Sequence, residues 1–170
     1  YCDQPTSALR RSTRTVLDLV FYRLATWLAP ILVFTTEEVW LERFGTENNS
    51  IHLEDIPITP KDWFNQELAS KWAAIRQVRR VVTGAIELHR QTKAIGSSLE
   101  ASPLVYISNQ TLFEQIKSID FAEVCITSAL DIHFGQISDD MFTLEDINFV
   151  GVLFELAEGK KCERCWKYVT

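Results

Sequence analysis

The hydrophobic period of this chain changes once, at Gly96-Ser97-Ser98, and that change limits the fold more than any other feature. Before it, apolar residues recur three and four apart, as on one side of a helix; after it, they come in short strand-like runs. The expected class is therefore α+β. We expect a mainly helical bundle over residues 1–100, a small α/β module over 101–157 and a short tail over 158–170. With 170 residues and 46% hydrophobic content, the chain can bury one substantial core and a small second one.

Leu9, Val16, Leu17, Val20, Leu24, Leu28 and Ile31 predict a long amphipathic helix from about Thr6 to Trp27, bent or ended by Pro30. Thr35 and Glu38 have capping-box spacing for a short helix through Phe44, with Gly45 as its C′ residue. Residues 46–58 read as loop and extended chain. Thr59-Pro60 then opens a third helix, running to about Lys93 and stopped by Gly96. Its apolar face holds Ile75, Val78, Val82, Ala85 and His89, the last as a packed histidine. Trp27, Trp40, Trp63 and Trp72 are expected in the core. Beyond the switch, 103–108 reads as a strand and 109–119 as a helix capped by Asn109. Residues 121–127, 130–134 and 149–157 read as further strands. There are no internal repeats and no low-complexity tract.

The formal net charge is −6, but it is segregated. Between Thr35 and Glu67 eight acids face only Arg43 and Lys61, and between Glu100 and Glu155 ten acids face only Lys117. From Lys71 to Lys93 the balance inverts, with Lys71, Arg76, Arg79, Arg80, Arg90 and Lys93 against Glu87. At 100° per residue Arg76, Arg79, Arg80 and Arg90 share roughly a 100° arc beside the apolar face. Such a stripe is either a polyanion-binding face or a solvated face paired with the acidic segment before it. No run of about 18 apolar residues occurs, so no membrane partner is expected. Without a secretory signal the four cysteines are expected to be reduced, in the cytoplasm.

The last residues, Gly159-Lys160-Lys161-Cys162-Glu163-Arg164-Cys165-Trp166-Lys167-Tyr168-Val169, form a basic Cys-x-x-Cys turn. Two thiolates at this spacing are half of a tetrahedral zinc site, and no second pair follows, so the chain reads as a fragment. Other readings remain open. The pair could be a redox dithiol, although a βαβ context is missing, or two free thiols. Cys2, Cys125, His52, His89 or His133 could complete a ligand set from within the chain. Zinc ligation by Cys162 and Cys165 in a longer protein is the preferred reading.

Several strings together carry a family resemblance. Tyr1-Cys2-Asp3, Arg14-Thr15-Val16-Leu17 and Leu28-Ala29-Pro30-Ile31-Leu32-Val33-Phe34-Thr35-Thr36-Glu37-Glu38-Val39-Trp40 resemble the anticodon-binding helical domain of class I aminoacyl-tRNA synthetases for branched aliphatic amino acids. Ser50-Ile51-His52-Leu53, Val78-Arg79, Lys93-Ala94-Ile95-Gly96-Ser97-Ser98-Leu99-Glu100-Ala101 and the Cys-x-x-Cys tail are similar to the bacterial isoleucyl-tRNA synthetases. The resemblance covers essentially the whole chain.

That resemblance implies tRNA anticodon-arm recognition within an isoleucine-tRNA ligase, whose whole chain uses ATP and edits misactivated valine. Neither a His-Ile-Gly-His-like nor a Lys-Met-Ser-Lys-Ser-like signature is present, nor is a glycine-rich phosphate cradle, so no catalytic residue is assigned and ATP belongs to a catalytic domain elsewhere. In the family a structural zinc is held by two Cys-x-x-Cys pairs, the first matched by Cys162 and Cys165. The implied partners are isoleucine tRNA and the rest of the synthetase, with no DNA. The residues expected to meet RNA are Arg76, Arg79, Arg80, Arg90 and Lys93 on the third helix, and Lys160, Lys161, Arg164, Trp166 and Lys167 on the tail. The alternatives are the same role in a valyl or leucyl relative, or a helical module that binds an acidic protein.

Overall fold

The computed structural model describes residues 3–47 and 49–170, so Tyr1 and Cys2, quoted above, lie outside the described residues. The chain forms two compact units, Tyr1–Phe64 and Asn65–Thr170.

In the first unit, α1 (Ala8–Leu28) starts at Ser7, whose hydroxyl accepts from the Arg10 amide at 3.4 Å. The next helix, α2 (Val33–Phe44), has no side-chain cap. The expected capping box does not form, because the chain is already helical at Val33; the Thr36 hydroxyl turns back to the Leu32 carbonyl at 2.9 Å. Gly45 closes α2 at φ +88°, its amide donating to the Leu41 carbonyl. The two helices run antiparallel, with Asp18 against Arg43 and Phe21 against Phe44 and Trp40. Their core is small: Ala25, Ala29, Trp40 and Ile51, flanked by Phe21 and Tyr22. The Trp40 indole donates to Asn49 at 2.8 Å, and the Tyr22 hydroxyl to Glu54 at 2.7 Å.

The apolar row that defines α1 in the sequence is not its packed face. Leu9, Val16, Leu17, Val20 and Leu24 stay exposed, while the buried strip runs around the helix through Ala25, Thr26 and Ala29. Nor are the tryptophans a common core. Trp40 is buried, whereas Trp27, Trp63 and Trp72 keep much of their surface exposed, and the Arg23 guanidinium lies 4.4 Å from the Trp63 ring centroid.

In the second unit, α3 (Gln66–Gln91) begins later than Thr59-Pro60. Lys61–Trp63 is one isolated 3₁₀ turn, and Asn65 is the true cap, accepting from the Leu68 amide at 2.9 Å. The helix also ends before Gly96. Lys93 takes the left-handed position at φ +60°, its amide bonds the Arg90 carbonyl and the Ala94 amide bonds that of His89, which is the paired pattern of a Schellman cap.

A four-stranded sheet carries the rest. It contains β1 (Leu104–Ile107), β2 (Asp131–Phe134), β3 (Phe142–Leu144) and β4 (Ile147–Leu153) in the order β2-β1-β4-β3. β1 and β2 are parallel and the other pairs antiparallel. Between β1 and β2 come α4 (Gln110–Lys117), capped by Asn109 as expected, and α5 (Phe121–Cys125), where a strand was expected. A short apolar run does not distinguish strand from helix; here Asp120 caps the Glu123 amide at 3.0 Å and decides for helix. β3 was not expected, and β4 starts and stops earlier than 149–157 because the Glu145-Asp146 turn sets its register.

α3 packs on β3 and β4, and α4 on β1 and β2. Seventeen buried residues form one core there, from Ile75 and Val82 on α3 to Val105, Ile107, Val150 and Val152 on the sheet. Gly84 lets the Phe142 ring approach α3: a Cβ at that position would sit 3.0 Å from it. The third helix of the sequence pattern is thus the lid of the sheet.

Candidate nucleic-acid interface

The cationic stripe of α3 divides by what each side chain meets. Arg79 is half-buried and its Nε donates to the Val124 carbonyl at 2.8 Å, placing a positive charge against the C-terminal end of α5. Arg80 pairs with Asp146 at 2.8 Å and Arg90 with Glu87 at 3.3 Å, both exposed. Arg76 and Lys93 are exposed and have no side-chain partner among the described residues. Arg90 and Lys93 share an open cleft with Glu87, Gln91 and Gly96 at the end of α3. Asp146 lies far from Arg80 in sequence, so the pairing could not be read from local spacing. The acidic segment 35–67 supplies none of these partners.

The tail folds as a hairpin of β5 (Lys160–Lys161) and β6 (Tyr168–Val169). At its tip the Cys162 amide donates to the Lys167 carbonyl and the Trp166 amide to the Cys162 carbonyl, both at 2.8 Å, with Trp166 left-handed at φ +65°. Gly159 has φ +100°, and a Cβ there would lie 2.3 Å from the Val169 carbonyl oxygen, so any other residue would break the hairpin entry. Two contacts tie the hairpin to the sheet unit: the Tyr168 amide donates to Ser128 Oγ at 2.7 Å, and Lys167 Nζ lies 3.7 Å from Glu123. Lys161 Nζ stands 5.5 Å from the centroid of the exposed Trp166 ring. Lys160 and Arg164 are exposed beside them. α5 is therefore the joint between α3 and the tail, because Arg79 grips its end and Lys167 its middle.

The thiols differ sharply. Cys125 is buried in the core, and burial pushes its pKa up from 9.0 to about 12, against a smaller opposing pull from Arg79. Cys162 is shifted down, first by the Cys165 backbone amide, then by that of Arg164 and the Cys165 side chain. An amide-lined sulfur on a tight turn fits the donor set of a zinc knuckle, with Cys165 as its partner. None of the other candidates joins them. Cys2 lies outside the described residues, the His52 ring meets the Val33 carbonyl, His89 stacks on Phe154 at 3.7 Å, and His133 stacks on Tyr106 at 5.0 Å. Among the described residues no three His, Cys, Asp or Glu side chains gather as a metal site, and no helix is long and apolar enough to cross a membrane.

Residues 1–105 match the family described as the anticodon-binding domain of tRNA ligase. The chain belongs to that family. Around it, the chain is similar along nearly its whole length to isoleucine–tRNA ligases. It is 51% identical over 168 residues to that of Bartonella henselae, covering 99% of this chain. It is 48% identical over 170 residues to that of Brucella abortus and 53% over 167 to that of Ruegeria pomeroyi, covering 100% and 98%. In each case the chain spans 17% of the relative's length.

The anticodon-binding family match contains α1, α2, α3 and the start of β1, and stops short of the hairpin. The isoleucine–tRNA ligases match the hairpin as well. Glu123 and Asp146 pair with the cationic side chains Lys167 and Arg80, and Ser128 holds the hairpin backbone at Tyr168; no local pattern in the sequence marks any of the three.

Proposed function

We propose that this chain binds the anticodon arm of isoleucine tRNA as part of an isoleucine–tRNA ligase acting in the cytoplasm. The observation that carries the proposal is the hairpin of this anticodon-binding family member: exposed Trp166, with Lys161 Nζ 5.5 Å from its ring centroid, shares a turn anchored to the sheet unit with the exposed cations Lys160 and Arg164. Lysine and arginine there meet phosphates, and an exposed indole offers a stacking surface to an unpaired loop base. On α3, Arg76 and Lys93 add phosphate contacts, with Arg90 beside Lys93; Arg80 joins when it exchanges Asp146 for RNA. Arg79 acts indirectly, by holding α5, and Lys167 by holding the hairpin.

A zinc ion would be held by Cys162 and Cys165 as two of four ligands, the other two lying outside the described residues. Bound zinc supplies structural cross-linking of the turn and no chemistry. The hairpin's own residues present the cations and the indole. Joining isoleucine to tRNA with ATP is proposed for the remainder of the ligase, beyond the 17% of relatives' length that this chain spans.

The test is a titration with isoleucine tRNA and with the same tRNA carrying a replaced anticodon, at several salt concentrations. Tighter binding of the native anticodon is expected, as is a loss of salt slope of about 0.7 to 0.9 for each phosphate contact removed, through Arg76→Ala or Lys93→Ala. Arg79→Ala should lower stability by about 1–2 kcal/mol and leave the salt slope unaltered, since it strips a charged hydrogen bond from a helix end. Absence of RNA binding even at low salt would refute the proposal.

A further inference from the structure

α2 is shorter than α1 and antiparallel to it, so it ends at Arg43 and Phe44, level with Asp18 and Phe21 of α1. Toward its N-terminus α1 extends past the end of α2. At 100° per residue Arg11, Arg14 and Asp18 fall within roughly a 60° arc, and Ala25, buried against α2, projects along the same side. The face that packs apolar residues under α2 thus becomes cationic where α2 stops.

The overhang and the end of α2 bound an open cleft of about 690 Å³ lined by Arg11, Arg14, Thr15, Asp18, Phe21 and Arg43, with Leu17 at its edge. Three arginines face one acid there, and that acid is already engaged: Asp18 accepts from Arg43 at 3.0 Å and not from Arg14, although Arg14 is one turn away. Arg11 and Arg14 are exposed and have no side-chain partner among the described residues. The first turn of α1 contains no acid to neutralise them.

We infer that this cleft is a second RNA-backbone site, in which Arg11 and Arg14 grip neighbouring phosphates of a stem while Arg43 closes one side. Side chains three residues apart on a helix stand about 5–6 Å apart at Cβ, a span suited to successive phosphates of one strand, and guanidinium forks bind phosphate oxygens in pairs. The site reads no base. Its cations approach charge, not base edges, so it adds salt-dependent affinity and orientation while the hairpin supplies any preference for the loop. This inference rests on the RNA-binding reading above, and it assigns to the first unit a role that the α3 and tail residues do not cover.

The double variant Arg11→Ala/Arg14→Ala in the full chain tests it. Exposed arginine-to-alanine changes in a helix keep its propensity, and circular dichroism checks that α1 persists. The probes are isoleucine tRNA, the tRNA with a replaced anticodon, and a polyglutamate peptide. Binding to both RNAs should weaken about tenfold at 0.1 M salt, and the slope of log affinity against log salt should flatten by about 1.4 to 1.8, two contacts' worth. The preference between the RNAs should not change, and Arg11→Lys/Arg14→Lys should restore the slope. An unaltered slope, with Arg76→Ala and Lys93→Ala still flattening theirs, would overturn this inference and leave the hairpin reading intact. Loss of polyglutamate binding with RNA binding unaltered would overturn it in favour of an acidic protein partner. A wild-type chain that binds neither RNA would overturn both readings.

Discussion

The two units bury very different amounts of apolar surface for their size. Among the described residues the first closes four into its core and leaves Leu9, Val16, Leu17, Ile31 and Phe34 exposed, whereas the second closes seventeen around a sheet. Helices are scarce stabilisers unless an apolar face is covered, so the first unit depends on a few contacts centred on Trp40 and the second on many. The proposed function follows the same division. The second unit can present the Cys162–Lys167 turn as a fixed surface because Ser128 and Glu123 anchor it to a packed sheet, while the first offers a cleft at the edge of a thin core.

The largest test of this contrast is a pair of core truncations. Ile107→Ala removes a fully buried side chain from the sheet and should cost the second unit about 3 kcal/mol; Trp40→Ala should cost the first about 3–5 kcal/mol. With four core residues, the first unit should not survive its loss. Urea unfolding followed by amide hydrogen exchange should then show two transitions, each substitution shifting only the one for its own unit. A single transition moved equally by both substitutions would contradict the division.

A smaller separation should appear at alkaline pH. Cys125 has a folded pKa raised to about 12 from 9.0, so its contribution is fully present below 9 and disappears as pH rises from there toward 12. In the first unit Tyr22 is also raised above 10.0, mainly by its hydrogen bond to Glu54, and the sign is the same. Cys125 lies in the core while Tyr22 reaches solvent, so the second unit should lose stability more steeply between pH 9 and 12. Cys125→Ala should remove that steepness; equal slopes for the two units in the wild type would show that burial of the thiol is not what matters.

Particular residues explain how much of this was legible. Asn109 as a cap, Gly45 as a stop and the β1 and β2 runs were readable because each depends on neighbours within a few positions. The α5 helix was misread because Phe121 to Thr127 is too short for periodicity to act, and its cap Asp120 stands outside the apolar run. For α1 the helix was legible and its packed face was not. Its most regular apolar row is exposed, and its buried positions are the small residues Ala25 and Thr26. The site shows the same limit: residue types and the Cys-x-x-Cys turn were visible, but Arg79 against Val124, Arg80 against Asp146 and the exposed pair Arg11 and Arg14 beside the end of α2 depend on tertiary neighbours.

The smallest effect concerns ion pairs, and it closes the comparison. Asp18–Arg43 in the first unit and Asp146–Arg80 in the second are nearly matched, at 3.0 and 2.8 Å with both partners more than half exposed. Pairs of this kind contribute up to about 1 kcal/mol. Asp18→Asn and Asp146→Asn should therefore shift their respective transitions by similar small amounts, within about 0.5 kcal/mol of each other, because the units differ in apolar burial and not in surface charge. The same substitutions should move RNA affinity upward, since each releases an arginine. Asp18→Asn should do so by removing the one acid among the described residues that line the cleft, and Asp146→Asn by freeing Arg80 on α3. If Asp18→Asn left RNA binding unaltered while Asp146→Asn strengthened it, charge on the first unit would be irrelevant to RNA, and the exposed arginines of α1 would need another account.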